Sequence, residues 1–282
     1  MKEIANNIFI KERLTGIVLG VFRLYNGLLT IDAPLKADGQ QSWRHDLAQL
    51  DGNGEHMMVM LDTNMDRLLG MHFSTFPVLT HESALEIIQN LPSTLRIPEM
   101  QVRSDSEAYD QSQGVRWRLP NMTFSKQVSI HWDDRPITMA HQPGAHHAAI
   151  WVRDAAEKVV FIGDSVVIDQ PPFLECCQLD LWMDELKWLR SDQFADYKII
   201  SGRNGLIEQD DAMTMHGFLS VVKAGLKELS ELDELDKGIE ALAASLLGQL
   251  SINKAFKEQY HCRLVWGLKE LLKQHHVTNT KE

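Results

Sequence analysis

The chain has 282 residues, 44% of them hydrophobic and 24% charged, which suits a globular protein able to bury a full core. A formal net charge of −11 argues against general nucleic-acid or anionic-membrane binding, because such surfaces need clustered Lys and Arg. Cys176, Cys177 and Cys262 contain no CxxC spacing, so neither a disulfide framework nor a thiolate zinc site is expected, and reduced thiols point to the cytoplasm.

The opening MKEIANNIFIKERL carries acidic residues and no long apolar stretch, and nowhere do 18 apolar residues run together. Neither a secretion signal nor a membrane span is expected. IANNIFIKE, GIVLGVFRLY and LLTIDAP read as three strands, with Asn26-Gly27 the strongest hairpin mark. SWRHDLAQL has helical spacing, HMMVMLD reads as a short buried strand, and HESALEIIQNL as an amphipathic helix. Residues 102–118 are polar without clean periodicity and read as an irregular connection. Strands resume in FSKQVSIHW, PITMAHQP, AAIWVRD and KVVFIGDSVV. PPFLECCQLDLWMDELKWLR then places Leu179, Trp182, Leu186 and Leu189 on one helical face, and YKIISGRNG is a last strand. From Gln209 onward the pattern is helical, with an apolar face over Leu264, Leu268, Leu271 and Leu272 that suits core packing or a homodimer contact. No solenoid repeat, low-complexity tract, glycine-rich phosphate loop or GxSxG elbow occurs.

Four segments in order, LLTIDAP, LDTNMDRLLG, AHQPGAHH and VVFIGDSVV, together resemble the metallo-β-lactamase superfamily. Its members carry an early strand ending in Asp, an HxHxDH loop, a GHTPGS-like segment and a strand ending in GD. The resemblance covers roughly residues 5–207 and implies an α/β fold, an αββα four-layer sandwich, with residues 208–282 as a C-terminal helical segment packed on it. It also implies a ligand set. Anchored on Asp66, the HxHxDH positions fall on Asp62, Asn64, Asp66 and Arg67; the Pro-Gly histidine matches His141 and the bridging aspartate Asp164. The last metal histidine falls in SGRNG, where Arg203 stands.

A dinuclear zinc site needs neutral imidazoles and carboxylates around two cations. Arginine offers only donors and stays protonated, so it cannot ligate a cation. The second metal is therefore expected to be lost, with Arg67 and Arg203 pairing with Asp66 and Asp164 in its place. Asp62, Asn64, His141 and Asp164 could still converge on one divalent ion, with a ligand set harder than a histidine triad and suited to manganese or magnesium, less so to zinc. Each residue also has a plainer role open to it. Asp62 and Asn64 suit a turn or helix N-cap, Asp164 a strand-end turn, and His141 a hydrogen-bonded core position. Arg67 and Arg203 suit the surface; His72, His81, His146 and His147 suit structural or solvated places, with His146 and His147 also open as substitute ligands.

Two functions of different class follow. One is a non-catalytic or ligand-binding homologue of metal-dependent hydrolases, with no cofactor, whose old pocket is a scaffold or takes a small anionic ligand. The other is a hydrolase of a small molecule with one metal or none, using Asp66 or His141 as general base on a water.

Overall fold

The computed structural model of the chain describes residues 1–12, 16–35, 37–50, 54–91, 117–230 and 234–279. Most of the irregular connection expected at 102–118 lies outside them. Strands β1 (Lys2–Ala5), β2 (Ile8–Lys11), β3 (Leu19–Leu24) and β4 (Gly27–Ile31) form an antiparallel run. The single strand expected over IANNIFIKE is instead a hairpin, because Asn7 turns the chain at φ 58°. The Asn26-Gly27 turn is present; Gly27 has φ 149°, and a Cβ there would overlap the Glu55 backbone.

After helix α1 (Ala37–Leu50), strands β5 (Glu55–Val59), β6 (Val78–His81) and β7 (Met122–Phe124) add in parallel to β4. Helices α2 (Met65–Phe73) and α3 (Glu82–Asn90) lie between them in sequence. The first sheet thus runs β1 to β7 in chain order. Strand β6 directly before α3 was hidden in the sequence, since VLTH is only four residues long.

FSKQVSIHW is not one strand. Its start is β7 in the first sheet, and Gln127–Ile130 is β8, the edge of the second. That second sheet has the order β13-β12-β11-β10-β9-β8. It comprises β9 (Ile137–His141), β10 (Ile150–Asp154), β11 (Val159–Phe161), β12 (Lys198–Ser201) and β13 (Gly205–Ile207). Only β11 and β12 are parallel, joined by a crossover through helix α4 (Leu179–Leu189). Helices α5 (Gln209–Leu229), α6 (Leu235–Leu247) and α7 (Lys257–Asn279) follow.

The layers follow from strand alternation. Phe22, Ile31, Val59 and Leu79 of the first sheet meet Met139, Ile150, Val152 and Phe161 of the second in one apolar layer. The outer face of the first sheet buries Trp43 and Leu47 of α1, and Leu68, Ala84 and Ile88 of α2 and α3. Val160, Ile199 and Ile207 on the outer face of the second pack with α4, α5, α6 and α7 in a single continuous cluster. The arrangement is an αββα sandwich with its C-terminal helices on the outside. No helix among the described residues is long and apolar enough to cross a membrane.

Candidate functional site

Strand ends from both sheets converge at one edge of the sandwich. At the end of β4, Asp32 adopts φ 55° while its N–H donates to Val59 O at 2.9 Å, which turns its carboxylate inward. β5 leads into residues 61–71, every one of them buried. At the end of β11, Gly163 takes φ 56° and sets Asp164 at the same edge. Gly202 N donates to Gly163 O at 2.6 Å, and this brings Arg203, just after β12, beside it.

The side chains form a closed network. Arg67 Nε donates to Asp32 Oδ2 at 2.7 Å, Nη1 to both oxygens of Asp62 at 3.1 and 2.9 Å, and Nη2 to Asp164 Oδ1 at 2.8 Å. Arg203 Nη1 donates to Asp66 Oδ2 at 2.6 Å, while its Nε and Nη2 donate to Asp164 at 2.9–3.1 Å. Asn64 occupies the N-cap position of α2 without capping it; its Nδ2 donates instead to Asp164 Oδ2 at 2.7 Å. Asp62 Oδ1 accepts from Asn64 N at 2.8 Å, and Asp32 Oδ1 from Leu61 N at 3.1 Å. All six charged groups are at most 7% exposed.

Four carboxylates face two guanidiniums, and burial decides which carboxylates keep their charge. Desolvation pushes Asp62 up to about 7, against the attraction of Arg67, because Asp164 and Asp32 also oppose its ionisation. It raises Asp32 as well, in spite of Arg67. At Asp164 burial is outweighed by Arg203 and Arg67, and its carboxyl lies well below the usual range. Burial likewise works against the charge of Arg67, yet Asp164, Asp62 and Asp32 hold it firmly protonated.

Phe173 links the network to the C-terminal helix. The Arg203 guanidinium lies 4.8 Å from the Phe173 ring centroid, and Arg263 of α7 lies 4.1 Å from the same ring. Arg263 is itself fully buried and donates to Gln170 Oε1 at 2.8 Å. Phe173 thus meets two cations, one from the network and one from α7.

The geometry brings together Asp62, Asn64, Asp66, Arg67, Asp164 and Arg203. It does not bring His141 to them. Opposite β-strand partners share a face, and the partner of His141, Ile150, points between the sheets. His141 therefore meets the first sheet: its ring stacks on His81 at 3.5 Å, and its Nε2 donates to His147 O at 2.9 Å. Burial lowers its pKa. His81 caps α3 by accepting from Ser83 N. The imidazole that does reach the loop is His146, buried, with Nε2 3.1 Å from Thr63 Oγ1 and Nδ1 accepting from Ala148 N. His147 is exposed, and His72 packs edge-on to Phe73.

The pairing also differs in detail from the sequence expectation. Asp66 pairs with Arg203, and Arg67 serves Asp32, Asp62 and Asp164. Asp32 was missed as a site residue although LLTID ends a strand in aspartate; the signal lay in that terminal acid, whose partner stands 35 residues away. Among the described residues, no group of three or more His, Cys, Asp or Glu is disposed to hold a metal ion.

No family model and no curated protein matches the sequence. Solved structures match by fold. A metallo-β-lactamase from Pontibacter korlensis is 15% identical with a TM-score of 0.56, over 78% of this chain and 97% of that one. The DIM-1 metallo-β-lactamase is 12% identical with a TM-score of 0.58, over 78% of this chain and 95% of that one. A double mutant of the sec-alkyl sulfatase PisA1 is 9% identical with a TM-score of 0.65, over 97% of this chain and 49% of that one. The chain has the metallo-β-lactamase fold.

Proposed function

We propose that this protein is a non-catalytic or ligand-binding relative of the metal-dependent hydrolases of its fold, in which a buried guanidinium–carboxylate network takes over the role of the metal centre. The observation that carries this reading is the position of Arg67, whose Nη1 and Nη2 lie between Asp62 and Asp164 at 2.8–3.1 Å. Both oxygens of each carboxylate accept from N–H groups, so their lone pairs are committed to donors rather than turned toward a vacant centre. A divalent ion there would have to displace a cation already paired with three acids. The residues at this edge do not fit a metal.

The role of the network is architectural. It ties β4, the β5–α2 loop, β11 and β12 to one point, and it passes through Phe173 to α7. The test is metal content and its linkage to stability. Protein purified without a histidine tag should carry zinc, manganese and iron far below one equivalent by mass spectrometry. Its melting temperature should be indifferent to chelator and to added zinc or manganese, because a ligand that does not bind the native state cannot stabilise it. One equivalent of metal, lost in Asp62→Ala and followed by a fall in melting temperature on chelation, would restore the other reading, a mononuclear hydrolase.

A further inference from the structure

On the outer face of the second sheet, the side-chain alternation of β8, β9 and β10 sets Gln127, Thr138, Ala140, Trp151 and Arg153 opposite the residues buried between the sheets. With Trp188 of α4 and Phe194 they line a cavity of about 240 Å³. At roughly 30 Å³ per liquid water, that is room for about eight waters, the size of a one-ring ligand. We propose that this cavity is a binding site for a small carboxylate carrying a flat ring, with Trp188 as the ring's platform and Arg153 as the carboxylate's partner.

Two independent features support this assignment. The first is a rigid aromatic wall. The Trp188 ring lies parallel to Trp151 at 5.4 Å and 1°, and Phe194 braces it edge-on at 4.9 Å and 85°. Trp188 Nε1 donates to Gln193 Oε1 at 3.1 Å, which fixes the ring's rotation. Yet Trp188 stays 36% exposed on the cavity, so an apolar body is held in place with surface still to cover.

The second is an unspent cation. Arg153 is half-buried in the middle of β10, and among the described residues its guanidinium makes no hydrogen bond or ion pair. The adjacent Asp154 turns to the opposite face and pairs with Arg135. The side-chain amides of Gln127 and Gln142 on the same wall are likewise without a described partner. A guanidinium fork binds a carboxylate through two parallel N–H bonds, and the amides add neutral donors beside it. A neutral ring would leave Arg153 unanswered, and a carboxylate without a ring would leave Trp188 uncovered. A nucleic acid is disfavoured by the net charge of −11.

The probes are benzoate, benzyl alcohol, acetate and glucuronate, each titrated into the full chain while the Trp188 indole N–H is followed by NMR. Benzoate should shift it saturably with a dissociation constant of about 1 mM or tighter, and benzyl alcohol and acetate at least tenfold more weakly. Arg153→Gln, which breaks no described contact, should weaken benzoate at least tenfold and leave benzyl alcohol unchanged. Glucuronate binding in place of benzoate would overturn the proposal, because its pyranose ring is not flat. No saturable shift with either acid, acetate as effective as benzoate, or full benzoate affinity in folded Arg153→Gln would overturn the proposal. The comparison of benzoate with acetate and benzyl alcohol needs only the natural chain, so it decides the matter even if the variant misfolds.

Discussion

Replacing Arg67 by methionine keeps an unbranched apolar stem and removes the guanidinium that donates to three carboxylates at 2.7–3.1 Å. Asp164 retains Arg203 and Asn64, but Asp62 and Asp32 are left mainly with the backbone N–H groups of Asn64 and Leu61. Both are 1% exposed, so water cannot take the guanidinium's place. Breaking one partner of a buried pair costs about 3–5 kcal/mol, a large share of the roughly 5–15 kcal/mol that holds a domain together. With a urea slope of roughly 2–3 kcal/mol per molar, the denaturation midpoint at pH 8 should fall by about 1–2 M. At pH 5 the loss should be smaller, because burial already raises Asp32 and Asp62, and protonation would relieve the stranded charges. A fall worth less than about 1 kcal/mol at pH 8, the range of exposed pairs, would refute the reasoning. So would an equal fall at both pH values.

The wild type has its own pH signature. Asp62 is raised from 3.8 to about 7, so the folded state holds that proton more tightly than the unfolded chain, and stability on its account declines as pH rises from about 4 to about 7. Glu185, which burial pushes up to about 7, acts in the same direction, while the depressed Asp164 contributes stability that is lost only in strong acid. The urea midpoint should therefore drift down across this window, and Asp62→Asn should flatten the drift; a midpoint that climbs would contradict the assignment. Gly202→Ala is expected to destabilise by about 1–3 kcal/mol, the usual cost of overpacking, since its Cβ would overlap Arg67 Nη2 and stand 2.9 Å from Asp164 Oδ1. An unchanged melting temperature in that variant would mean that the guanidinium is free to move aside.

The sequence by itself determined the sandwich and the neighbourhood of its site. The short apolar runs in VVFIGD and YKIIS, the Asn26-Gly27 turn and the helical spacing of LDLWMDELKWL are local signals, and the order of four short segments carried the fold beyond them. The resemblance set Arg67 and Arg203 among the acids, and residue type then implied that they would face carboxylates, because a guanidinium brought beside buried acids must pair with them. Which acids they pair with was decided by tertiary structure. Asp32 joins because β4 and β5 end side by side and its positive φ aims it inward. His141 leaves because β-sheet register, which alternates faces with every residue, turns it toward His81. Asp62 and Asn64 suited a turn or helix N-cap, yet residues 61–71 are buried throughout, since the charges in them are satisfied by groups up to 137 positions away. Arg153 and Trp188, 35 residues apart in sequence, share a wall only because the β11–α4–β12 crossover lays α4 across the second sheet. Periodicity records which side of an element is apolar; it holds no record of which distant side chain arrives to meet a charge.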